Sequence, residues 1–362
     1  MYQPPLPGLY NTLSDEELTK RIQSVREKLG KKLVIIAHHY QRPEVVELSD
    51  VRGDSLQLAR FAAENTQAEF VVFCGVHFMA ESADILKTAS QKVILPDLGA
   101  GCDLADAADD DDVARAWDEL VEVVAHENIL PITYVNSTAA LKAFVGSKNG
   151  IVCTSSNAAK VVQFALDQNK LLFFYPDEHL GRNTSKKLGI PLSKMGLWNP
   201  KKPYGGLTAE DILKQKVFLW KGCCPVHQMF TSKQIDSIRA KHPEFKIIVH
   251  PECSMEVVDK SDLNGSTDFI VKTIAASPAG SHWAVGTELN LVNRLAKENS
   301  DKTVVSINPF MCLCGTMNRI DLKHLSWALD NIEQGHPQNV ITVGEPHRTL
   351  AKQALSRMLD IS

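Results

Sequence analysis

Three stretches of this chain follow one plan: a buried strand, a polar turn, a helix, a second buried strand, and a closing strand that runs into a cysteine. The first opens at LVIIAHHY and closes at VILPDLGAGC, on Cys102. The second opens at PITYVNS and closes at VFLWKGCC, on Cys224; the third opens at IIVHPE and closes at VVSINPFMCLC, on Cys314. Short continuous apolar runs mark strands covered on both faces. Such strands, alternating with helical patterns, predict parallel α/β units. The expected fold class is therefore α/β, with three similar parallel-sheet domains. Ligands of these sheets gather outside the carboxyl ends of the strands, where the three cysteines fall. One thiolate per repeat points to three ligands converging on one metal centre. Protein iron–sulfur sites usually supply four cysteines, so three would leave one iron position open to a substrate.

Each closing cysteine is followed by a helical pattern: DDVARAWDELVEVVA, SKQIDSIRAK and TMNRIDLKHLSWALDNI. A cysteine near a helix amino terminus feels the positive end of the dipole, which favours the thiolate. Eight cysteines are present, and not all can be ligands. Cys74 and Cys153 sit in apolar strands and read as small core residues. Cys253 lies outside the closing-strand register. Spacing does not choose between Cys223 and Cys224, or between Cys312 and Cys314.

The sequence divides into an amino-terminal arm and helix over 1–30, where Ser14 and Glu17 form a capping box, and three repeats. The first spans 31–104 and is expected to be completed by the carboxyl-terminal segment 316–362. The second spans 105–223, with an insertion near 184–212 that reads as a surface hairpin or a lid. The third spans 224–315. A net charge of −4 argues against a nucleic-acid or anionic-membrane surface. No apolar run is long enough to span a bilayer, and MYQPPLPGLYNTLSDEEL lacks the regions of a secretory signal. A cytoplasmic enzyme is expected, its cysteines thiols or metal ligands rather than a disulfide framework.

Polar residues recur at equivalent strand ends. The first strand of each repeat ends in His38 and Tyr40, in Tyr134 and Asn136, or in His250 and Glu252. The next turns carry Ser55, read as a helix cap, then Ser155, then Ser266 with Thr267. Hydroxyls at helix amino termini, beside free backbone N–H groups, suit anions. Three such turns would suit a substrate carrying several negative charges. His38, His227 and His250 stand out among the histidines because each lies beside a cysteine-bearing or hydroxyl-bearing turn. His250 and Glu252, two apart in an extended segment, can face the same side and suit general acid–base work.

These motifs, together with GDSLQLAR, CGVHFMAESADIL, CTSSNA, PDEHLGRN, WKGCCPVH, GTELNLV and CLCGTMNRIDL, resemble those of the quinolinate synthase family over about residues 14–361. The resemblance implies three α/β domains in a pseudo-threefold triangle around a central 4Fe–4S cluster, held by Cys102, Cys224 and Cys314. It implies substrate contacts at His38, Tyr40, Ser55, Met79, Tyr134, Asn136, Ser155, His250, Glu252, Ser266 and Thr267, and catalytic roles for Tyr40, His227, His250 and Glu252. The implied reaction joins iminoaspartate, supplied by L-aspartate oxidase, to dihydroxyacetone phosphate, giving quinolinate in NAD biosynthesis. A monomer or homodimer is expected. The alternatives are another three-cysteine iron–sulfur enzyme, such as a diphthamide-type radical enzyme, or a non-enzymatic iron–sulfur sensor.

Overall fold

The computed structural model describes residues 3–310 and 313–361. Its strands are β1 (Leu33–His38), β2 (Val51–Gly53), β3 (Phe70–Cys74), β4 (Lys92–Ile94), β5 (Ile129–Tyr134), β6 (Ile151–Cys153), β7 (Leu171–Tyr175), β8 (Met195–Trp198), β9 (Val217–Trp220), β10 (Lys246–Val249), β11 (Leu263–Asn264), β12 (His282–Gly286), β13 (Thr303–Ser306) and β14 (Val340–Ile341). They form three sheets, ordered β14-β4-β3-β1-β2, β6-β5-β7-β9-β8 and β11-β10-β12-β13. In each, the first strand of the repeat lies between the second and the third. All pairings among the repeat strands are parallel. The first strands β1 and β5 are buried along their whole length, which is why they read as unbroken apolar runs.

The chain forms two compact units. One contains residues 3–102, 289–291 and 313–344, with the first sheet; the other contains 103–288, 292–310 and 345–361, with the second and third sheets. The carboxyl-terminal segment divides between them. β14 adds to the first sheet, antiparallel to β4. The final helix, His347–Asp360, instead packs along the helix Ala139–Ser147 of the second unit. Gly146 permits that approach: a Cβ there would come within 1.9 Å of the Leu350 carbonyl oxygen.

Three local readings change. The capping box at Ser14 closes the helix Asp15–Leu29 as expected. Ser55, however, is the first helical residue, and Asp54 is the cap, accepting from the Gln57 amide. Asp outranks neither Ser nor Asn as a cap in general, so only the backbone register decides between adjacent candidates. After β7, Glu178–Lys187 is a helix capped by Asp177. The stretch read as a hairpin or lid contributes β8, which pairs in parallel with β9 as the edge of the second sheet. Finally, the helix behind Cys102 begins at Asp110, as its pattern predicts, whereas the one expected from Thr316 behind Cys314 begins only at Leu322. Of the two cysteines and Cys224, Cys224 alone is itself a helix cap, of the short helix Pro225–Gln228. Cys312 lies outside the described residues.

Candidate active site

In the second unit, the carboxyl ends of β5 and β10, with the short helix Pro225–Gln228 that follows β9, bring four side chains into one buried cluster. The Tyr134 hydroxyl donates to Glu252 Oε1 at 2.6 Å. His227 Nδ1 lies 3.1 Å from Glu252 Oε2, and His250 Nδ1 lies 3.7 Å from Oε1. The His227 and His250 rings stack, 4.5 Å between centroids. All four residues are buried. Burial by itself would raise the Glu252 pKa. The charges of His227 and His250, with hydrogen bonds from His227 and Tyr134, outweigh it and hold the carboxyl at about 2. Glu252 is therefore an anion in a nearly water-free setting, which is affordable only because it is paired.

The backbone around this anion is fixed by residues that carried no sequence signal of function. Asn183, from the helix Glu178–Lys187, donates from Nδ2 to the Pro251 and Cys253 carbonyls, both at 2.9 Å. Gln228 Nε2 donates to the Glu252 carbonyl at 3.0 Å. Thr287, at the end of β12, sets its hydroxyl 3.4 Å from His227 Nε2. A strand-end position was the one available clue to Thr287. Asn183 and Gln228 sit on helices and become visible only once the helices are docked. Asp177 is fully buried beneath the same region. Desolvation, then the nearby Glu252 charge, pushes its pKa well up.

Cys224 completes the cluster. A thiol sulfur, a His227 nitrogen and a Glu252 oxygen all lie within 4.8 Å of one another and could hold a metal ion. Its thiol is half-buried, as are those of Cys102 and Cys314. Cys74, Cys153 and Cys253 are fully buried, and desolvation drives their thiols far from ionisation. Cys223 is exposed. Among the described residues, the thiols that are not fully buried thus include the three at the ends of the repeats.

Beside the cluster, a cavity of about 220 Å³ is lined by Ser155, Ser156, Thr184, Lys187, Asn264 and Ser266, among others. Hydroxyls from two sequence repeats meet there with one lysine. Ser266 caps the helix Thr267–Ala276 through the Phe269 amide, and Thr267 is buried in its first turn. Asn157 Oδ1 shapes the Ser155 turn by accepting from the Thr154 amide at 2.7 Å. Asn136 keeps a buried Oδ1 that accepts no hydrogen bond among the described residues.

The first unit carries the remaining candidates. His38 is buried at the end of β1, and its ring meets that of Tyr40 edge-on at 4.7 Å. The Tyr40 amide donates to His38 Nδ1 at 3.2 Å, and the Glu252 amide to His250 Nδ1 at 3.4 Å. The same residue spacing thus builds the same local turn in two repeats. Asn290 holds this turn by donating to the Tyr40 carbonyl at 3.1 Å. Met79 is buried in the helix His77–Leu86, whose first amide donates to Ala100 in the Cys102 loop. Ser55 is half-buried at the start of the helix Ser55–Glu64.

A family model described as quinolinate synthetase A protein matches residues 20–360. Proteins named quinolinate synthase are similar over nearly the whole chain. That of Bacillus cytotoxicus is 55% identical over 358 residues, covering 98% of this chain and 96% of the relative. That of Geobacillus sp. strain WCH70 is 54% identical over 360 residues, covering 99% and 97%. That of Bacillus cereus strain B4264 is 54% identical over 358 residues, covering 98% and 96%.

Proposed function

Because this chain belongs to the quinolinate synthetase A family, we propose that it condenses iminoaspartate with dihydroxyacetone phosphate to give quinolinate, phosphate and water. The observation that carries the reading is the buried Tyr134–Glu252–His227–His250 cluster with the Cys224 thiol at its edge. Among the described residues no helix is long and apolar enough to cross a membrane, in keeping with small water-borne substrates. An L-aspartate oxidase would supply the iminoaspartate.

Cys102, Cys224 and Cys314 would hold a 4Fe–4S cluster; half-buried thiols, soft and able to ionise, fit that role where the buried ones do not. When bound, the cluster supplies a Lewis acid at the iron that no cysteine holds. The protein's own groups do the rest. Ser266 and Thr267, at a helix start, Ser155 in the turn before the helix Ala158–Asp167, and Lys187 at the cavity wall bind phosphate and carboxylate oxygens. The vacant acceptor Asn136 Oδ1 takes a donor such as the imine or enamine N–H. His38, Ser55 and Met79 are further candidate substrate contacts. Holding both substrates together removes the entropic cost of their encounter. Tyr40 and Tyr134 move protons through their hydroxyls. Glu252 orients His227, and the His227–His250 stack passes protons to and from the condensing carbons.

The test is anaerobic purification with reconstitution, counting of iron and sulfide, and an assay for quinolinate from the two substrates. Quinolinate formation that follows cluster content is expected. A chain loaded with iron that forms none refutes the reaction; S-adenosylmethionine cleavage in its place would favour the radical-enzyme alternative.

A further inference from the structure

The two cysteine-bearing loops of the first unit are joined by an ion pair that the reaction does not use. Asp97 lies in the loop that leads to Cys102, and Arg319 in the loop that leaves Cys314. Arg319 Nε sits 2.9 Å from Asp97 Oδ2, and its Nη2 donates to Oδ1 at 3.4 Å. The Asp97 side chain is 1% exposed. Its Oδ1 also accepts the Gly99 amide at 2.8 Å, so one carboxylate shapes its own loop and grips the other. Gly99 makes room for that grip: a Cβ there would lie 2.5 Å from Arg319 Nε and 2.7 Å from Cζ. His324 Nε2 approaches Asp97 Oδ2 at 3.7 Å while its Nδ1 lies 2.8 Å from Asp321.

Other bonds hold the Cys314 loop elsewhere. Its own turn is closed by the Asn318 amide and Nδ2, which donate to the Cys314 carbonyl at 3.0 and 2.9 Å. Gln41 Nε2 and Arg42 Nε bind the Met317 and Asn318 carbonyls, tying the loop to the Tyr40 turn. Asp97–Arg319 ties it to the Cys102 loop. Removing the guanidinium would leave the buried carboxylate with the Gly99 amide and His324 as neighbours, a cost that favours opening of the loop.

We propose that Asp97 and Arg319 are positioning residues that hold Cys102 and Cys314 in register for a shared metal centre; this rests on the ligand assignment above. Residues that orient metal ligands from behind typically cost 10–100-fold in affinity when replaced. The test compares wild type, Arg319→Met, Arg319→Lys and Gly99→Ala as full-length chains. Two readouts are taken: iron loss to a chelator from anaerobically reconstituted protein, and the iodoacetamide alkylation rate of each cysteine in metal-free protein, mapped by peptide mass spectrometry. Iron loss roughly tenfold faster in Arg319→Met, with Cys102 and Cys314 alkylated faster and Cys223 and Cys224 unchanged, supports the clamp. Arg319→Lys, which keeps the charge but not the fork, should fall between. Gly99→Ala keeps both charges and should reproduce the Arg319→Met pattern, so the test survives if the latter does not fold. Unchanged rates at Cys102 and Cys314 in the folded variants overturn the proposal. Wild type that binds no iron overturns the ligand assignment instead, and the alkylation arm still decides the clamp.

Discussion

Glu252 shows how one buried charge can be both a cost and a tool. Its carboxyl is held at about 2, below the ordinary glutamate value of 4.5, by His227, His250 and Tyr134. A depressed folded-state pKa contributes stability that is present above the unfolded value and lost as pH falls through the folded one. The melting-temperature gap between wild type and Glu252→Gln should therefore be widest near neutrality and narrow as pH drops from about 4.5 toward 2. A gap that stays constant over that range would mean another group carries the effect. In steady-state assays the same substitution is expected to lower kcat by about 10²–10⁴-fold. The cysteines divide as sharply. Iodoacetamide should label Cys223 in the folded chain, whereas Cys74, Cys153 and Cys253, buried with strongly raised pKa values, should react only after unfolding. Of these distinctions, the pairing of His250 with Glu252 was legible in their spacing. The contribution of Tyr134 to the same carboxylate was not, because it joins positions 118 residues apart.

At the scale of elements, the helices reveal which parts of the plan are local. Caps lie within a few residues of what they cap. The Ser14 box could be read directly, while at Gly53-Asp54-Ser55 two adjacent cap formers left the register open. Asp54→Ala should cost about 1 kcal/mol in chemical denaturation, with Ser55→Ala close to neutral in stability but not in activity. The final helix poses the opposite case. It docks against Ala139–Ser147 through the gap that Gly146 leaves, and Arg357 Nη1 donates to the Gly150 carbonyl at 2.8 Å. Gly146→Ala has no room for its methyl against the Leu350 carbonyl and should destabilise by about 1–3 kcal/mol, despite the better helix propensity of alanine. A midpoint that rises instead would show that the two helices can slide apart without loss.

For the molecule as a whole, three sheets share one strand order among their repeat strands. Cys102→Ser, Cys224→Ser and Cys314→Ser should each abolish or strongly reduce iron content and the brown visible absorbance together with quinolinate formation. A serine variant that keeps full iron and full activity would remove that cysteine from the ligand set. Cys223→Ser, at an exposed thiol, should leave iron content unchanged.

What the sequence alone determined was repetitive and local: buried parallel strands, the turns after them, the recurrence of hydroxyl, histidine and cysteine at strand ends. Those features depend on period, burial and capping, which act over a few residues and leave a pattern in the chain. Tertiary structure decided which distant residues share a cavity or a charge. It set Asn183 and Gln228 on the Glu252 turn, Thr287 against His227, β8 at a sheet edge, the last helix beside Ala139–Ser147, and Arg319 on Asp97. These contacts depend on how preformed elements dock, and docking is governed by shape and paired polar groups across long separations, for which a single chain carries no periodic signal.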